Sequence, residues 1–326
     1  MATAAPRPWL LAHYMPWFES KGVSGKWGWH WTMGRVDAPR ALAANYHPVI
    51  GPYDSGDPAV LEWHLKLMQT AGIDGIVVDW YGLEDYRDYP VNHRHADLAV
   101  STAARLGMRV AVCYEDQTLA HLPAADRAPA ARRALDWLGT HWFRLPGYLR
   151  ISDHPVLLSF GHDGLSDSEW SAVLAAVSTP VTYLSEHRRR PAAAGAFDWP
   201  VPREGRARQS RFATESARWP VSFAVAYPRF ADYYAQAGVH ASWGEIPDQG
   251  GGTLTETLSA ALASRAAAVQ IATWNDWGEG TQIEPSREQG LRDLEIVQHA
   301  RRARDPAFPY GPADLARLLA ARPVPR

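Results

Sequence analysis

Short apolar and β-branched runs recur along the chain, separated by stretches long enough for amphipathic helices. This alternation predicts eight strands, at residues 9–17, 75–80, 109–115, 155–160, 180–185, 195–199, 221–227 and 269–274. The clearest intervening helix begins after Asp57, a good N-cap followed by Pro58, and stops at Gly72; Leu61, Leu65 and Met68 then share its buried face. Each strand is apolar enough to be covered on both sides. Eight such strands alternating with helices predict a closed parallel (β/α)8 TIM barrel with long βα loops, with an open doubly wound sheet as the second choice. The Arg-, Pro- and Gly-rich residues 200–219 read as loop, and no repeat or linker divides residues 1–326, so a single barrel domain is expected.

Composition narrows the class. With 326 residues, 46% hydrophobic and 21% charged, the chain can bury a large core. A net charge of -2 offers no positive field for nucleic acid. Cys113 stands alone, so neither an intramolecular disulfide nor a cysteine-based zinc site is expected. No run approaches a membrane span and the N-terminus lacks a basic, apolar leader. The expectation is a soluble chain without membrane partners, cytoplasmic as it stands, or secreted or periplasmic if a signal has been removed.

Tryptophan is the outlier, at 15 residues. Its flat apolar face and single N–H donor suit a sugar ring. In a TIM barrel, chemistry gathers at the C-terminal ends of the strands. There the chain places Tyr14 and Trp17; Asp79, Trp80 and Tyr81; Glu115 and Asp116; Ser185, Glu186 and His187; Asp198 and Trp199; Tyr227; and Asn275, Asp276, Trp277 and Glu279. Aromatic residues and acids alternate at nearly every strand end, the composition expected of a polysaccharide cleft. Asp276 and Glu279 are the sharpest pair, because glycoside cleavage needs two carboxyl groups and Gly278 and Gly280 let the backbone turn both toward one cavity.

Residues 273–285, with Trp274-Asn275-Asp276-Trp277-Gly278-Glu279-Gly280-Thr281-Gln282-Ile283-Glu284-Pro285, resemble the W-N-E-W-x-E-G-T-x-I-E-P signature of glycoside hydrolase family 99, the endo-α-1,2-mannosidases and mannanases. Residues 12–18, 47–57, 71–82 and 112–117 resemble the same group, in the expected order. Asp276 stands where that family has glutamate, and in this respect the loop is similar to the W-N-D-[YFW]-G-E pattern of family 71, the α-1,3-glucanases. The resemblance implies a (β/α)8 fold, no cofactor and Glu279 as general acid/base. It implies Asp276 as a base on the sugar 2-hydroxyl, through a 1,2-anhydro intermediate, or on water. The first route retains anomeric configuration and the second inverts it; retention is favoured, because residues 280–285 follow family 99 more closely.

Weaker signals remain. Trp27, Trp29 and Trp31 alternate, so an extended segment would aim all three one way, as a sugar platform or a plug over the barrel. His93 and His95 lack a third ligand and read as a solvated loop, with no metal site. The basic runs 187–190 and 203–211 read as solvated faces, Asp74 as a turn residue, and residues 250–252 as a mobile βα loop near the mouth. The leading function is an endo-acting glycoside hydrolase on an α-linked, mannan-like oligo- or polysaccharide. An inverting α-1,3-glucanase-like enzyme, a non-catalytic carbohydrate-binding barrel and a polysaccharide-assembly protein are the alternatives.

Overall fold

The structure is a computed structural model describing residues 7–161 and 164–326. Eight parallel strands form the barrel: β1 (Trp9–Tyr14), β2 (Gly75–Trp80), β3 (Arg109–Glu115), β4 (His154–Phe160), β5 (Thr182–Glu186), β6 (Gly195–Phe197), β7 (Val221–Ala226) and β8 (Ala268–Ile271). Each pairs with its chain neighbours, β3 pairs with β4, and β8 returns to β1, so the ring closes and no barrel edge is left unpaired. The expected (β/α)8 barrel is the fold observed. Outside it pack α1 (Pro58–Ala71), α2 (Tyr89–Arg105), α3 (Ala124–Thr140), α4 (Asp167–Ala176), α5 (Gly205–Ser216), α6 (Gly252–Ala263), α7 (Arg292–Arg304) and α8 (Pro312–Ala320). Only β5 and β6 are joined without a helix. Among the described residues, no helix is long and apolar enough to cross a membrane.

Strand parity sorts the interior. Because side chains alternate, one set from each strand fills the barrel and the other meets the helices. Leu11, Val77, Ala111, Leu158, Leu184, Phe197, Phe223 and Val225 pack inside, in one buried cluster. Leu10, Ala12, Tyr14, Ile76, Val78, Trp80, Val112 and Tyr114 belong to the cluster shared with the helices. α1 follows its sequence signals: the Asp57 carboxylate accepts the Ala59 N–H at 3.0 Å, and Gly72 ends the helix at φ 88°.

Several expectations are corrected. Residues 200–219 are not a loop, since α5 lies within them; its buried face is Gln209, Phe212 and Ser216, so one apolar residue carried the whole helical period. β1 and β8 are three residues shorter at their ends than expected; beyond β1, Met15 and Trp17 line the mouth, whereas beyond β8 Trp274 packs in the cluster shared with the helices. His93 and His95 sit on α2, where His93 accepts from the Trp80 indole N–H and His95 packs against the Pro16 carbonyl and Asp54. Residues 250 and 251 lie in a short 3-10 turn, and Gly252 begins α6. Arg190 is buried, bonded to Asp167 and the Leu165 carbonyl, so the 187–190 run is not simply a solvated face. Asp74 is an anchor for Arg7, Arg301 and the Leu10 N–H.

Candidate active site

At the C-terminal ends of the strands a cavity of about 400 Å³ opens between the barrel and its loops. Inward parity brings His13, Asp79, Glu115, Phe160 and Glu186 to it, and the loops after the strands add Trp17, Tyr81 and Trp199. Asp276 and Glu279 share this wall, both nearly buried at 5% and 8% exposure. A wider cavity of about 790 Å³ adjoins it and shares Trp29, His30, Tyr81, Glu115 and Gln117.

The loop carrying the acid pair is held from behind. The Asn275 amide bonds both the N–H and the carbonyl of Met15, at 2.8 and 2.9 Å. Glu284 accepts from the Tyr53 hydroxyl at 2.7 Å and the Trp277 indole at 3.2 Å, and meets His64 Nε2 at 3.1 Å. Gly280 turns at φ 68°, where a Cβ would lie 2.8 Å from the Ala231 carbonyl oxygen. Only glycine takes that turn without strain. At the front, the Asp276 carboxylate accepts the Glu279 N–H at 3.0 Å, and the Tyr234 hydroxyl donates to Glu279 Oε1 at 3.2 Å.

Electrostatics separate the two acids. Burial pushes the Asp276 carboxyl up to about 7, opposed by backbone N–H bonds from residues 278 and 279 that favour its anion. Burial pushes Glu279 well above the usual carboxylate range, and negative neighbours, Asp276 first, push it further. Burial and mutual repulsion favour a single negative charge on the pair, and the backbone N–H bonds favour placing it on Asp276. Burial also raises Asp79 and Glu115 and lowers His13 to about 4 and His30 to about 3, leaving both imidazoles neutral near pH 7.

Of the residues singled out in the sequence, Trp17, Asp79, Tyr81, Glu115, Trp199, Asp276 and Glu279 meet in the cavity. Tyr14, Trp80, Asp116, Asp198, Tyr227, Asn275 and Trp277 do not line it. Tyr14 and Trp80 have outward parity; Trp80 stacks on Trp137 at 5.9 Å between barrel and helices. Asp116 accepts the Trp170 indole at 2.6 Å and faces Arg190. Asp198, also outward, pairs with Arg208 and His187. Tyr227 is buried in the barrel packing. Asn275 and Trp277 point back into the supporting network just described. The tryptophans of 27–31 diverge because Trp29–Thr32 is a helical turn: Trp31 is buried and bonds the Tyr53 carbonyl, whereas Trp29 is 44% exposed over both cavities.

Sequence reasoning missed His13, His30 and Tyr234, and Glu186, read at a strand end, was not carried into the named site; both His13 and Glu186 line the cavity. His13 was readable, since it shares parity with Leu11, as Glu186 does with Leu184. His30 lies on the Trp17 ring, with centroids 4.0 Å apart and planes 5° from parallel. Tyr234 comes from a distant loop where it packs with His240 and the exposed Trp243; no local pattern marks either residue.

The sequence profile of glycosyl hydrolase family 99 matches residues 9–182, just over half of the chain. The chain belongs to glycosyl hydrolase family 99. The family 99 match ends before Asp276 and Glu279, so it covers the supports of the acid loop and not the loop itself. Glycoprotein endo-alpha-1,2-mannosidase of Xenopus laevis is 29% identical over 100 residues, which are 26% of this chain and 22% of that protein. The Rattus norvegicus protein of the same name is 31% identical over 85 residues, 22% of this chain and 18% of its own. The aligned stretch is thus about a fifth of the length of these relatives. A solved GH99 endo-alpha-mannosidase from Bacteroides thetaiotaomicron superposes with a TM-score of 0.68 at 18% identity, over 90% of this chain and 98% of that one. A solved glycoside hydrolase-like protein gives 0.63 at 12% identity, over 92% and 97%. At these identities the superpositions speak for the fold.

Proposed function

We propose that this family 99 chain is an endo-acting glycoside hydrolase on an α-linked, mannan-like glycan, with Glu279 as general acid/base and Asp276 as base. The observation that carries the reading is the pairing of these acids in one cavity, with a backbone N–H held on Asp276 that favours its anion. Near neutral pH one accepts a proton while the other donates, as glycoside cleavage requires.

In the favoured course, Asp276 takes the proton of the sugar 2-hydroxyl, and that oxygen attacks C1. Glu279 protonates the departing glycosidic oxygen as its bond to C1 breaks, leaving a 1,2-anhydro sugar. Water then attacks C1 and gives its proton to Glu279, while the opening ring oxygen recovers a proton from Asp276. Both acids return to their starting states, and the product keeps its anomeric configuration. Trp17, Tyr81 and Trp199 offer ring faces to the sugar, and Glu115 and Asp79 accept from its hydroxyls. The adjoining cavity supports endo action, since a chain lying in both cavities extends past the cleaved bond. The relatives named endo-alpha-1,2-mannosidase support mannose as the sugar.

The test is incubation with α-mannan and α-glucan oligosaccharides, with product sizes read by mass and the first anomer by proton NMR. Internal fragments with retained configuration are expected. Binding without turnover would make the protein a carbohydrate-binding barrel, and an inverted first anomer would make Asp276 the base for water.

A further inference from the structure

Below the acid pair, three inward side chains of adjacent strands converge: His13 on β1, Asp79 on β2 and Cys113 on β3. Asp79 and Cys113 are direct partners in the β2–β3 register, and His13 has the same inward parity. The imidazole, carboxylate and thiol donor atoms all lie within 4.8 Å of one another, and His13 Nε2 is 4.0 Å from Asp79 Oδ1. All three side chains are buried, and His13 Nε2 and Asp79 Oδ2 have no hydrogen-bond partner. The ring nitrogen and the carboxyl group thus face each other unmatched across a gap too long for a hydrogen bond, in a place where leaving a polar group unmatched is costly.

The tautomer of His13 is set by its neighbour. The Gln270 amide N–H donates to the Asp198 carbonyl at 2.8 Å, which turns Gln270 Oε1 toward His13 Nδ1 at 3.3 Å. Nδ1 therefore carries the proton and Nε2 presents its lone pair to Asp79 and Cys113. A histidine whose far nitrogen is held by an amide or carboxylate oxygen is the usual arrangement of a metal-bound imidazole.

We propose that His13, Asp79 and Cys113 bind one divalent cation of the zinc class at the floor of the cavity. The donor set of imidazole nitrogen, carboxylate oxygen and thiolate sulfur suits a borderline-soft ion with tetrahedral preference, and disfavours magnesium or calcium, which seek oxygen. Bonds of about 2.0–2.3 Å would draw the donors together by up to about 1 Å, within reach of side-chain rotation. Cys113 gives up its thiol proton on binding. His13 and Asp79 line the cavity, so the fourth position faces it and takes water or a sugar hydroxyl. The site does not depend on the glycosidase reading, and either can fail while the other stands.

Cobalt(II) chloride, titrated into the chelator-treated full chain, is the probe, because a thiolate ligand gives it an intense near-ultraviolet charge-transfer band. One cobalt per chain is expected, displaced by zinc and not by magnesium. Cys113→Ser should abolish the band, and Gln270→Leu should weaken cobalt binding about 10–100-fold. Zinc should also raise the thermal midpoint of the unaltered chain, a readout that needs no variant. Absence of saturable cobalt binding would overturn the proposal, as would a band that persists in Cys113→Ser; the facing acceptors would then be met by water, substrate or a shared proton.

Discussion

Replacing Glu279 by glutamine removes one proton and little else. The amide oxygen can still accept from the Tyr234 hydroxyl, 3.2 Å away in the native site, and the backbone N–H of residue 279 can still donate to Asp276. Burial and the nearby Asp276 favour the protonated form of Glu279, so a neutral amide reproduces the resting charge. Binding should therefore survive, with KM changing less than about threefold, within ordinary context effects. The chemical step should lose the contribution of a general acid, about 10²–10⁴-fold or roughly 3–5 kcal/mol. That loss should shrink on an aryl glycoside whose leaving group departs without a proton. The assay is kcat and KM on a natural oligosaccharide and on the activated substrate, side by side. Retention of kcat within about tenfold on the natural substrate would refute the acid role, and an equal loss on both substrates would point to disruption of the loop instead.

Other outcomes follow from the same geometry. Asp276 acts ionised and is pushed up to about 7, so kcat/KM should rise with pH through neutrality and fall again only where Glu279 loses its proton; a flat profile from pH 5 to 8 would contradict the assignment. Gly280→Ala should cost about 1–3 kcal/mol in denaturant unfolding, because it forces a side chain into a left-handed turn against the Ala231 carbonyl. Trp80→Phe should lower stability by about 1–3 kcal/mol while leaving KM within about twofold, whereas Trp17→Ala should raise KM, since Trp17 lines the cavity and Trp80 does not.

The barrel was legible because its strands are continuous apolar runs, a signal that survives errors of two or three residues at each end. The site was legible only in part. Asp79 and Glu115 were found by strand-end position, and the same rule wrongly admitted Trp80 and Asp116, whose neighbours in sequence face the opposite way. Applying the two-residue period through each strand end would have excluded both and added His13 and Glu186 to the named site. No such rule reaches Asn275 and Trp277: they sit beside the acids in sequence, and only the packing of Tyr53 and Glu284 turns them inward. Tyr234 was invisible because its contact with Glu279 spans 45 residues of chain.

The buried link between Glu284 and the pair Tyr53 and His64 joins the last strand's loop to the first loop and helix of the barrel. The two ends of the chain are thus interlocked at the acid pair, although the family profile matches residues 9–182 and the acids lie beyond them. A fragment ending before β8 would carry the whole matched region and be inert, with Tyr53 and His64 facing a socket that Glu284 should fill. Adding the missing segment as a separate peptide would then restore order to the first loop and supply the acids in one event, so recovery of fold and recovery of turnover would rise together on a single complementation curve.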